Sequence, residues 1–92
     1  MAILDDFQQW LKSHEYTEHT PSGNPSTVYD YRKRIERVCM EEGISIIELI
    51  KRIDTIVLDY DSNGRKEEAG QKSHSAVINA LRRFQEYLND QK

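Results

Sequence analysis

The residues of this chain that could carry chemistry fall into four groups: two neighbouring histidines, one thiol, paired carboxylates, and cations accompanied by Ser, Thr and Asn. The histidines sit in His14-Glu15-Tyr16-Thr17-Glu18-His19. A zincin helix needs His-Glu-x-x-His and its inverse needs His-x-x-Glu-His, so both patterns are missed by one residue. With no third or fourth ligand of the type zinc takes, two solvated histidines are expected and no metal. Cys39 falls on an apolar arc, where a small buried thiol is common, whereas a nucleophile needs an electropositive, partly exposed setting. The pairs Asp5/Asp6, Glu41/Glu42, Asp59/Asp61 and Glu67/Glu68 are the ordinary product of a charged surface, and spacing ties none of them to a pocket. Gly23, Gly43, Gly64 and Gly70 are isolated, so no glycine-rich loop is available to cradle a phosphate. Acid–base catalysis, nucleotide hydrolysis and a bound cofactor are therefore not expected.

The cations remain. Wound as a helix, residues 73–89 turn Val77 and Phe84 inward and Ser75, Asn79, Arg82 and Glu86 outward, with Arg83 to one side and Lys72 beside the N-terminus. Ser, Asn and Arg bond phosphates and base edges, and a helix N-terminus adds free amides suited to phosphate. Within residues 25–42, Lys33 and Arg37 point outward and Arg34 lies at the flank. Asp30 stands four residues before Arg34 and Glu41 four after Arg37, the spacing of an ordinary ion-paired face. A ligand-binding surface and a solvated, ion-paired face are both open readings at this point.

Four helices must position these groups. Ile3, Leu4, Phe7, Trp10 and Leu11 repeat with a helical period, giving a first helix over about residues 3–14. Residues 15–25 collect Thr, Pro, Ser, Gly and Asn without periodicity and read as a loop. Asn24 can cap free amides and Pro25 suits a first helical position, so a second helix runs over about 25–42, with Gly43 as a left-handed terminator. Ser45 and Glu48 form a capping box that starts a third helix over 45–61. The run IIELIKRIDTIVLDY is apolar on more than one face, which predicts a central place in the core. Asp54 is a candidate for restarting it after a break, and one bent helix or two short ones both fit. Ser62-Asn63-Gly64 and the charged stretch RKEEAGQ predict a mobile, unpacked loop. Val77, Ala80, Leu81, Phe84, Tyr87 and Leu88 then mark the clearest amphipathic helix, 73–89.

A chain of 92 residues buries roughly 60–68% of its unfolded surface, enough for one core and too little for two catalytic domains. The expectation is a single domain over 1–92, an all-α, compact bundle of four to five helices. The lone cysteine and the acids of MAILDDFQQW, where a signal peptide needs basic residues, point to a cytoplasmic setting. No apolar run approaches the roughly 18–20 residues that cross a bilayer, so no membrane partner is expected. Net charge is −3, but it is uneven: residues 1–25 hold one cation against four acids, while residues 65–92 hold six cations against four acids.

The order of motifs resembles the N-terminal core-binding domain of phage-integrase-like tyrosine recombinases, a small helical domain called SAM-like. The resemblance rests on Phe7-Gln8-Gln9-Trp10-Leu11, on Asn24-Pro25-Ser26-Thr27-Val28 followed by Tyr31, Ile35 and Val38, and on the Gly43-Ile44-Ser45 connection. It closes on Ser73-His74-Ser75-Ala76-Val77 leading to the Leu81-x-x-Phe84-x-x-Tyr87-Leu88 ending. The resemblance implies a module that clamps double-stranded DNA with its second and fourth helices. In that family a separate C-terminal catalytic recombinase domain holds the tyrosine nucleophile, so this stretch cuts no DNA by itself. By position the DNA-facing roles fall on Thr27, Arg34 and Arg37 and on Lys72, Ser73, Ser75, Asn79, Arg82 and Arg83. The alternative is a helical protein–protein interaction module that has lost DNA binding, and the net charge of −3 favours it.

Overall fold

A computed structural model describes residues 2–14 and 27–91, the side chains of residues 2, 27 and 72–75 excepted. The described residues form an all-α bundle of six helices: α1 (Ala2–Ser13), α2 (Thr27–Glu42), α3 (Ile46–Lys51), α4 (Ile53–Tyr60), the single turn α5 (Glu67–Gly70) and α6 (Lys72–Asp90). The loop expected over 15–25, the Asn24 cap, Pro25 and His19 lie outside the described residues. Among those described, no helix is long and apolar enough to cross a membrane.

The apolar periods set the packing. Leu4, Phe7 and Leu11 of α1, Val28, Ile35 and Val38 of α2, and Ala80, Leu81, Phe84 and Tyr87 of α6 are all buried in one core. α6 is the central element, packed on α1, α2, α4 and α5. Its seam with α1 is aromatic: Phe7 meets Phe84 edge-on at 5.1 Å and Trp10 meets Tyr87 at 5.9 Å. Polar pins close that seam, the Tyr87 hydroxyl donating to Asp6 at 2.5 Å and Trp10 Nε1 to Asp90 at 2.7 Å. Arg32 ties α2 to α1 by donating to Asp5 and Gln8.

Chain reversals follow local chemistry. Gly43 takes φ +66, and the Ile44 and Gly43 amides donate to the Cys39 and Met40 carbonyls at 3.0 and 3.2 Å, the paired bonds of a Schellman stop. Ser45 caps α3, its hydroxyl accepting from the Glu48 amide at 3.1 Å. The apolar run after it is two short helices, and the break falls at Arg52 (φ −111), with Asp54 inside α4. Asp54 makes no cap and accepts instead from Gln85 of α6 at 2.8 Å. The run supplies Ile46, Leu49, Ile53, Ile56, Val57 and Tyr60 to the core, as its apolar faces predict, while Ile47 and Leu58 face solvent, 64% and 69% exposed.

A second correction concerns residues 62–71, which pack against α4. Two glycines make that possible. A β-carbon on Gly64 would lie 2.1 Å from the Leu58 carbonyl oxygen, and one on Gly70 would lie 1.9 Å from that of Tyr60. The charges expected to repel are partnered: Arg65 pairs with Asp59 at 3.0 Å and Lys66 with Glu42 of α2. Asn63 accepts a left-handed φ of +67 in the turn.

Candidate nucleic-acid interface

α2 and α6, the two helices expected to face a ligand, pack against each other. Arg34 and Arg37 lie three residues apart on α2, which places their stems on the same side of the helix. Together with Val38 and Glu41 they border a cleft of about 240 Å³. Its far side is built by Tyr60 of α4, Ala69 of α5 and Val77 of α6. The same two arginines form one edge of a second depression of about 220 Å³ that holds Asp30 and Lys33. Arg34 and Arg37 are therefore a cationic ridge between two hollows.

The expected i, i+4 pairing is present with unequal quality. Arg37 Nε donates to Glu41 at 3.1 Å, on a side chain 68% exposed. Arg34 Nε stands 3.6 Å from Asp30, beyond hydrogen-bond reach. That nitrogen is shielded from solvent and has no hydrogen-bond partner among the described residues. Lys33 lies over the Tyr29 ring, with its ammonium 5.3 Å from the centroid. Across the two hollows Lys33, Arg34 and Arg37 face Asp30 and Glu41, a surplus of positive charge.

Tyr60 supplies the wall opposite the ridge. Burial first, then the carboxylates of Glu42, Glu41 and Asp59, push its phenol up to about 12, so it stays a neutral donor at physiological pH. Lys66, 5.5 Å from its ring centroid, is engaged by Glu42.

The α6 cations are used differently. Arg82 is exposed on the helix, as its spacing predicts, but its Nη2 donates to Asp61 at the end of α4 at 2.5 Å. That guanidinium holds the Asp61 carboxyl below the usual carboxylate range, with the Ser62 amide adding to the effect. Arg83 pairs with Glu86 one turn along α6, and Asn79 is half-buried. The side chains of Thr27, Lys72, Ser73 and Ser75 lie outside the described residues. The backbone nonetheless starts α6 at Lys72, five residues before the Val77 that borders the cleft.

No family model, curated protein or solved structure matches the chain. Among the described residues, no cluster of three or more His, Cys, Asp or Glu could hold a metal. His14 holds its ring centroid 4.2 Å from that of Trp10 at a tilt of 31°, and its Nδ1 is 2.9 Å from the Trp10 carbonyl oxygen. Cys39 is buried and its thiol is pushed up, by burial first and Glu36 second, which disfavours the thiolate. The arrangement can hold an anion beside two guanidiniums. Sequence reasoning assigned Arg34 and Arg37 to that surface but left out Lys33 and the Tyr60–Ala69 wall. Outward orientation on the helical wheel was the available signal for Lys33, and the wall had none.

Proposed function

We propose that this chain is a non-catalytic, cytoplasmic module that binds double-stranded DNA through the α2–α6 face, in the manner of a recombinase core-binding domain that works beside a separate catalytic domain. The observation that carries this reading is the Arg34–Arg37 ridge on α2, across the cleft from Val77 of α6. Duplex binding depends on neutralising phosphates, and guanidiniums do so with directed donors. Lys33, Arg34 and Arg37 are three cations available to this face. Three phosphate contacts predict that affinity falls about 40-fold between roughly 50 and 200 mM salt. Fluorescence anisotropy with a duplex of about 20 base pairs, wild type beside Arg34→Glu/Arg37→Glu, tests it. Binding that is insensitive to both salt and charge reversal would end this reading.

The second reading, a helical protein-interaction module, is favoured by Met40 (78% exposed), Ile47 and Leu58, three large apolar side chains left in solvent on α2, α3 and α4. It predicts a shallow salt slope and binding unaffected by the Arg34/Arg37 reversal.

A further inference from the structure

The cleft between α2 and the α4–α5–α6 wall has a shape and a donor set of its own. Arg34 Nε is a shielded donor without an acceptor, and native proteins leave few such donors unmatched. Asp30, at 3.6 Å, does not satisfy it. Arg37 commits Nε to Glu41, which leaves the other donors of its fork able to turn into the cleft. The remaining lining, Val38, Tyr60, Ala69 and Val77, is apolar apart from one phenol. An acceptor entering there meets two guanidiniums, Arg34 on a side chain 30% exposed and Arg37 on one 68% exposed. Glu41 at the rim limits the charge that can be accommodated. With Lys33, Arg34 and Arg37 set against Asp30 and Glu41, the local surplus is a single positive charge.

The geometry points to this cleft as the seat of one phosphodiester, a singly charged tetrahedral group held by Arg34 and Arg37, and its source is a backbone phosphate of the duplex. The assignment of the source rests on the proposed DNA-binding function. A phosphomonoester carries up to two negative charges and would leave the site with an excess beside Glu41. One phosphodiester matches the surplus and, once the Arg34 side chain turns its shielded nitrogen toward the cleft, supplies the acceptor that Nε lacks.

The test follows the arginine Nε–Hε signals of the whole chain by nuclear magnetic resonance during two titrations, one with a duplex of about 20 base pairs and one with dimethyl phosphate. In both, the Arg34 signal is expected to move before the Arg82 signal. Arg34→Lys, which keeps the charge but loses the fork, is expected to weaken duplex binding about tenfold, and Lys33→Gln about twofold. Circular dichroism establishes that both variants are folded. If the duplex binds and shifts backbone amides while the Arg34 signal stays still, the seat is wrong and the DNA-binding reading stands. If dimethyl phosphate moves Arg34 but the duplex does not bind, the duplex is overturned as the occupant. If neither ligand moves any signal, both the seat and the DNA reading fall.

Discussion

The α2 and α6 faces carry cations of the same type and put them to different uses. On α6, Arg82 reaches across to Asp61 and fastens the end of α4, and Arg83 turns along its own helix to Glu86. On α2, Arg37 likewise turns along its own helix to Glu41, but Arg34 sits 3.6 Å from its carboxylate and keeps a donor unmatched, and Lys33 rests on a ring. An exposed arginine already in a tertiary bridge must break it to serve a ligand, whereas one in a loose pair loses little by switching. Exposure alone therefore does not identify a binding surface. What separates the two faces is how well each cation is already satisfied.

The sharpest way to break this contrast is charge reversal on each face. Arg34→Glu/Arg37→Glu is expected to weaken duplex binding about 100-fold at roughly 50 mM salt, because two phosphate contacts are lost and two repulsions gained. Arg82→Glu/Arg83→Glu is expected to weaken it less than about fivefold and to lower the thermal midpoint, since it sets a carboxylate against Asp61. Equal losses in an anisotropy titration would erase the distinction between the faces.

The next largest effect is on the wall of the cleft. Gly70→Ala places a β-carbon 1.9 Å from the Tyr60 carbonyl oxygen, a backbone atom that cannot swing aside. A loss of about 3 kcal/mol is expected in urea denaturation, at the upper end of ordinary overpacking. Gly43→Ala is the control, because nothing lies within 4 Å of its β-carbon position and only the φ of +66 is strained. About 1 kcal/mol is expected there. Glu41→Gln acts in the opposite direction. Removing the carboxylate that holds Arg37 is expected to raise duplex affinity about threefold at low salt, and a fall would mean that Glu41 holds Arg37 in its binding pose.

How much of this was legible depended on the range of the interaction. The stop at Gly43, the Ser45 cap and the apolar arc of α6 are set within one or two turns, and the sequence announces each of them. The Arg34–Asp30 and Arg37–Glu41 pairings are equally local, and their spacing foretold them. Arg82–Asp61 spans 21 residues and Lys66–Glu42 spans 24. A helical wheel shows that Arg82 points outward but does not show what stands opposite. The packed 62–71 segment was misread for the same reason. Its glycines and charges look like a loop until Tyr60 and Glu42 are placed beside them. The Tyr60–Ala69 wall exists only through those long-range approaches.

The smallest expected effect tests whether Arg82 is held in reserve. Arg82 and the Ser62 amide keep the Asp61 carboxyl below its ordinary 3.8. A carboxyl lowered on folding adds stability that is fully present above its unfolded value and is lost as pH falls through the folded one. Asp61→Asn is therefore expected to melt slightly below wild type from pH 7 down to about 4, and the gap should close below that. Because the substitution also releases Arg82, it reports on the α6 face directly. A change of less than about twofold in duplex affinity is expected if that arginine serves the fold alone. A rise of tenfold, measured at the same salt as Glu41→Gln, would show that Asp61 masks a second phosphate contact and that the two faces differ only in how tightly their cations are held.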